Sequence, residues 1–134
     1  MTRPRADPLL LLAAAAETTE RVTLGTAVLL PALRHPILLA HQLGTLDRLS
    51  GGRLVIGLGD GFPSPDTRAQ FAALGIDFAR RTGRLEESID VMRQLWSGKA
   101  VTHRGEHFSF DDVQIAPPPS RPGGPPVWPA AVQR

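Results

Sequence analysis

The chain has no cysteine among its 134 residues. That excludes disulfides, thiolate nucleophiles and cysteine-ligated metals. Lysine is nearly absent too: of 15 basic residues, only Lys99 is not arginine. The basic residues are scattered among acidic ones, with no basic block and no interleaved aromatics, so the footprint of a nucleic-acid binder is missing. No apolar run reaches membrane-spanning length, and no membrane partner is expected. The stretch "PLLLLAAAA", Pro8 to Ala16, falls far short of the ~20 residues a span requires. No Gly-Lys-Ser or Gly-Lys-Thr occurs, which removes the P-loop.

What remains is an apolar fraction of 42%, enough for a packed core, in a length that suits one modest domain, residues 1–134. The formal charge is only +2; the sequence pI of about 10.4 reflects arginine, which stays charged to high pH. Arginine over lysine, with abundant alanine and proline, is the bias of a GC-rich bacterial genome. Basic residues before Pro8 and alanines after it fit a signal peptide. Asp7-Pro8 reads better as a helix N-cap followed by proline at the first helical position. A buried helix over Pro8–Thr18, in a cytoplasmic protein, is therefore expected.

Further along, α and β patterns alternate. "RVTLGTAVLLP" is nearly continuous in apolar residues and reads as a parallel strand buried on both faces. "RHPILLAHQLGTLDRLSGG" places Leu39, Leu43, Leu46 and Ser50 at helical spacing, widened by Ile37, Leu38 and Leu49, with Gly51 and Gly52 as the stop. "RLVIGLG" is a second buried strand, completing a βαβ unit. A loop with a short helix follows, delayed by Pro63 and Pro65. A longer helix over about 79–97 carries the stripe Leu85, Ile89, Met92 and Trp96, with Arg84 and Glu87 placed to pair weakly on another face. "VTHRGEHFSF" predicts a hairpin around Arg104-Gly105, and "APPPSRPGGPP" a linker without regular structure. "VWPAAVQR" starts as a strand that Pro129 interrupts.

The glycines Gly57, Gly59 and Gly61 follow "RLVI" at alternate positions. A dinucleotide fingerprint needs a third glycine where Phe62 stands, and a helix directly after it. These glycines serve either a plain turn or the close approach of a ligand. Ligands of parallel α/β folds sit at the carboxyl ends of strands, where a missing side chain exposes backbone N–H groups.

The order "LGTAV…RHP…LA…TLDRLSGGR…GLGDG", then "GIDFARRTGRLEESIDVMRQLW", then "PPVW" resembles the bacterial luciferase-like family of flavin-dependent monooxygenases and their F420-dependent relatives. The resemblance covers roughly residues 7–128. It implies an α/β fold, part of a (β/α)8 TIM barrel running from helix two to the start of strand five. A helical and hairpin insertion follows strand four. It implies a cofactor, FMN or coenzyme F420, at the C-terminal ends of the strands. "TLGTAV" resembles the family's third strand, whose bulge, often with a non-proline cis peptide, backs the flavin ring; that points to Thr26, Ala27 and Val28. "GLGDG" resembles the end of strand four and places Gly59, Asp60 and Gly61 near the cofactor.

A whole family barrel takes ~250 residues. The parts that resemble nothing here include the first two strands and the last three βα units, where polar residues nearest the reacting ring lie in the family. Pro129, Ala130 and Ala131 stand where the family has an apolar residue and a glycine pair, which puts strand five in question. The resemblance thus implies monooxygenation by reduced FMN and oxygen, or F420-dependent hydride transfer, on a small molecule. The 134 residues alone are expected to be inactive and to self-associate or need a partner chain completing the barrel. A non-catalytic flavin-binding module and an inactive fragment are the alternatives.

Other residues read as structural. His103 and His107 flank the hairpin turn and make no metal pair, so no metal site is expected. His35 is a helix-entry residue, and His41 sits beside the core stripe. Asp47 and Arg53 are expected to pair with each other. Trp96 and Trp128 read as packing, although an aromatic near strand five could reach a cofactor.

Overall fold

The computed structural model describes residues 5–130. Its main sheet has three parallel strands, in the order β1 (Leu24–Leu29), β2 (Leu54–Leu58) and β5 (Val127–Pro129). Helix α1 (Pro8–Thr18) packs on β1 and on α2 (Pro36–Leu49), which packs in turn on α4 (Arg81–Leu95). Helix α3 (Pro65–Ala73) and a 3-10 turn at Phe78–Arg80 link β2 to α4. Strands β3 (Val101–Arg104) and β4 (Ser109–Val113) form a separate antiparallel hairpin. The luciferase-like pattern had implied a parallel α/β sheet with helical and hairpin segments after "GLGDG", and these elements are present.

Local chemistry accounts for the helix boundaries. Asp7 caps α1, its Oδ1 accepting from the backbone N–H of Leu9 at 2.8 Å and of Leu10 at 3.2 Å. Proline occupies the first turn of α1, α2 and α3, where its missing N–H costs nothing. Pro65 thus opens α3, capped by Ser64, and does not merely delay it. Gly51 and Gly52, both at positive φ, end α2.

The core lies between the helices and one face of the sheet. Leu54, Ile56 and Leu58 alternate on that face and meet Leu39 and Leu43 of α2 and Leu85, Met92 and Leu95 of α4, all buried. Trp96 closes the layer, its indole N–H donating to the Ala40 carbonyl at 2.9 Å.

Two burial expectations need correction. β1 is not buried on both faces: Gly25, Ala27 and Val28 are exposed, Val28 by 48%. Among the described residues the helices cover one side of the sheet only. Nor is α1 a buried helix. Leu9 and Ala16 face the core, while Leu10 and Leu11 are 73% and 59% exposed, because α2 and β1 meet α1 from one side. Leu38 and Leu49 likewise fall outside the buried stripe of α2.

The charged residues pair differently from the spacing rule. Asp47 is fully buried and binds not Arg53 but Arg121. Its Oδ1 accepts from Nε at 2.9 Å and Nη2 at 2.6 Å, and its Oδ2 accepts from the Arg121 backbone N–H at 3.0 Å. That clamp pins the proline-rich stretch 116–126, which has no regular element but does have fixed contacts. Arg121 Nη2 also donates to the Leu54 carbonyl, and Gly124 lies flat against the Trp96 ring. Arg53 spreads its guanidinium over five acceptors: the carbonyls of Ala16, Thr19, Val22 and Ser50, and the Thr19 hydroxyl. Arg84 and Glu87 make no ion pair. Arg84 donates to the Ala32 carbonyl and stacks over Phe108, while Glu87 turns to the hairpin.

β5 forms despite Pro129. The proline aligns with Leu58, and the ladder is continued by the Ala130 N–H, which donates to the Leu58 carbonyl at 2.7 Å. At the last residue of an edge strand the absent N–H of proline is tolerated. Ala131 and the three residues after it lie outside the described residues.

Candidate functional site

The C-terminal ends of β1 and β2 meet in an irregular pair. Register runs from Leu24↔Leu54 to Thr26↔Ile56 and then shifts, resuming at Leu29↔Leu58. The Ala27–Val28 peptide is cis. The irregular geometry expected at Thr26–Val28 is therefore present. Thr26 Oγ1 donates to the Gly57 carbonyl at 2.7 Å and ties the bulge to β2.

The open sheet face around this bulge is built of small residues. Alternation puts Gly25 on it from β1, and Val55, Gly57 and Gly59 from β2 and its end. The register pairs Gly57 with Trp128, so Trp128 stands on the same face, 66% exposed. It is no packing residue, unlike Trp96. Val28 rises on the opposite side of the glycine track.

The glycines have protein neighbours where a side chain would be. A Cβ on Gly57 would collide with the Thr26 carbonyl oxygen and lie 3.5 Å from Val28 Cγ1. A Cβ on Gly59 would sit 2.8 Å from Val28 Cγ2. Gly61, at φ 99°, turns the chain toward α3, where Thr67 Cγ2 would be 3.1 Å from an added Cβ. Asp60 does not face solvent: its Oδ2 accepts from the Thr82 hydroxyl at 2.9 Å, with Arg81 Nε at 3.6 Å. Thr26, Ala27, Val28, Gly59, Asp60 and Gly61 are thus gathered at the same end of two adjacent strands.

A second polar cluster, which the sequence reading did not assign, fastens the hairpin to α4. Glu87 Oε1 meets His103 Nε2 at 2.9 Å and the Phe108 N–H at 3.0 Å, while Oε2 accepts from the His107 N–H at 2.8 Å. Burial pushes the Glu87 carboxyl up, but these donors outweigh it and hold the group below the usual carboxylate range. His35 caps α2 through Nδ1 and meets Phe108 edge-on; burial, then the nearby Arg84 guanidinium, hold its pKa low. His103 and His107 serve the hairpin, and among the described residues no group of three ligating side chains could hold a metal. Among them no helix is long and apolar enough to cross a membrane. A carboxylate three residues after Arg84 was the available signal for this cluster; its partners, 16 to 21 residues on, were not legible.

Comparison with known proteins bears on the open face. The profile of the family described as "Luciferase-like monooxygenase" matches residues 1–134. An F420-dependent glucose-6-phosphate dehydrogenase of Intrasporangium calvum is 39% identical over 113 residues, covering 83% of this chain and 34% of that protein. The crystal structure of the monooxygenase RslO1 from Streptomyces bottropensis superposes with a TM-score of 0.84 at 36% identity, over 92% of this chain and 36% of that one. The oxygenating constituent of 3,6-diketocamphane monooxygenase from Pseudomonas putida, in complex with FMN, does so with a TM-score of 0.77 at 25% identity, over 92% and 36%. The chain spans about a third of the length of these relatives. With a family profile matching along its whole length and relatives of this identity, the chain belongs to the luciferase-like monooxygenase family.

Proposed function

We propose that the chain is part of a flavin-dependent oxidoreductase of the luciferase-like class, holding FMN or coenzyme F420 at the C-terminal ends of β1 and β2. One observation carries the reading: the only described strand irregularity between these strands presents Ala27 and Val28, both exposed, over the buried Gly57 and Gly59. Small side chains leave a flat, largely apolar surface, which is what a planar ring needs behind it. Residues 1–134 then act as one unit and supply a section of a (β/α)8 barrel, from its second helix to the start of its fifth strand, with α3, α4 and the hairpin as the insertion after the fourth.

The residues present fit such a group. Thr26, Ala27 and Val28 would back the ring, Gly59, Asp60 and Gly61 would form the rim at the strand ends, and Trp128 would wall the opposite side. Bound there, the cofactor would supply the redox chemistry, reduced FMN with oxygen or hydride transfer with F420, on a small-molecule substrate. This chain's part is to bind, orient and shield. Shielding is incomplete in three strands, because among the described residues the outer edges of β1 and β5 have no strand beside them in the sheet. Turnover therefore requires those edges to be covered, by further barrel units, a second copy or a partner chain, and residues 1–134 by themselves are expected to be inactive.

Titration of FMN and of F420 against the purified chain, read by quenching of cofactor fluorescence with light scattering on the same sample, tests this. Saturable binding by an associated species is expected. No binding of either cofactor would remove the reading. The open edges favour a second reading, a non-catalytic flavin-binding module; saturable binding without turnover in every assembled form would select it.

A further inference from the structure

We propose that Gly57 and Gly59 are positioning residues that act on the cofactor through Val28 and not by touching it. The inference rests on the cofactor reading above. Their two missing side chains form a track on β2 in which the β1 bulge lies. Thr26 leans its carbonyl over Gly57 and donates its hydroxyl to the Gly57 carbonyl. Val28 places Cγ1 over Gly57 and Cγ2 over Gly59, so that an added Cβ would meet them at 3.5 and 2.8 Å. A distance of 2.8 Å is inside van der Waals contact for two carbons, so nothing larger than hydrogen fits at Gly59 while Val28 keeps its place.

Valine is branched at Cβ and stiff about χ1, so a displaced methyl cannot swing freely aside. The whole side chain, 48% exposed on the open face, must rise or turn. The track therefore sets the height and rotamer of the surface behind the ring. The two glycines divide the task by what they meet. Gly57 faces backbone, and no side-chain change relieves a Cβ there. Gly59 faces a methyl of Val28, which truncation removes, leaving Val28 Cβ at 3.7 Å.

The test is a double-mutant cycle on the full chain with FMN and F420 as probes. Gly59→Ala is expected to weaken binding about tenfold, equivalent to ~1.4 kcal/mol, and to shift the visible circular dichroism of bound FMN. Val28→Ala/Gly59→Ala is expected to bind, and to give a spectrum, as Val28→Ala does. Gly57→Ala is expected to stay impaired with or without Val28→Ala. Should Gly59→Ala fail to fold, recovery of its far-ultraviolet spectrum in the double variant carries the same support, and failure of both overturns the proposal. Independent, multiplying effects of Gly59→Ala and Val28→Ala overturn the positioning role while leaving the cofactor reading intact. Failure of the unaltered chain to bind either probe overturns the cofactor reading and this role with it.

Discussion

Replacing Arg121 by alanine isolates the worth of the clamp beneath the sheet. The substitution removes both side-chain donors from Asp47 Oδ1 and leaves Oδ2 with the backbone N–H of residue 121. Asp47 is fully buried, so the carboxylate loses its counter-ion where water is scarce. Stranding one member of a buried pair costs about 3–5 kcal/mol. The Arg121 side chain is 31% exposed, so water can enter the vacated space, and the lower figure, ~3 kcal/mol, applies. Against the ~5–15 kcal/mol of a small domain that is a large share. Urea unfolding at matched protein concentration, followed by the buried Trp96, measures it. Arg121→Ala/Asp47→Asn separates the causes: an amide left behind costs only ~1–3 kcal/mol, so the double variant is expected to be more stable than the single one. Equal losses in the two would refute the stranded-charge reasoning. A single variant within ~0.5 kcal/mol of the unaltered chain, the usual range of a surface change, would refute the clamp itself.

Glu87 makes the protein sensitive to acid. Its carboxyl is held below the ordinary value of 4.5, so the unfolded chain takes up the proton first. The stabilisation is full above that value and is lost as pH falls through the folded pKa. Glu87→Gln is expected to cost about 1–3 kcal/mol at neutral pH and to flatten the acid limb of a stability–pH curve; an unchanged limb would remove Glu87 from the account. Because the chain has no cysteine, Val28→Cys creates a unique thiol on the open face. Maleimide labelling at ~100 times Kd of FMN or F420 is expected to slow on the order of 100-fold, and an unprotected thiol would place the cofactor elsewhere.

Much of this fold was legible because its signals are local. The Asp7-Pro8 cap, the buried stripes of α2 and α4 and the Arg104-Gly105 turn each lie within one helix or one hairpin, and each element formed where the pattern put it. The partner of Asp47 lies 74 residues away, and no spacing rule reaches that far. The exposure of Val28 was illegible for another reason. An apolar run tells how a strand is clothed when its sheet is complete, and here one face is uncovered. The glycine pattern marked the C-terminal end of β2 but not what fills the space there, since only the fold brings the Thr26 carbonyl and the Val28 methyls over Gly57 and Gly59.

Arg53 has a consequence for the order in which the chain can become structured. A helix ends with carbonyls that have no partner of their own. In α1 the carbonyl of Ala16, and those of Thr19 and Val22 just beyond, are taken by the guanidinium of the residue just before β2. All five of its N–H donors are engaged, a number that lysine cannot match. As the ribosome delivers the chain, α1 emerges before Arg53 and stays unfinished until that residue arrives. The end of α1 is therefore written at the entry to β2, and amide exchange in its last turn should report whether that strand is in place.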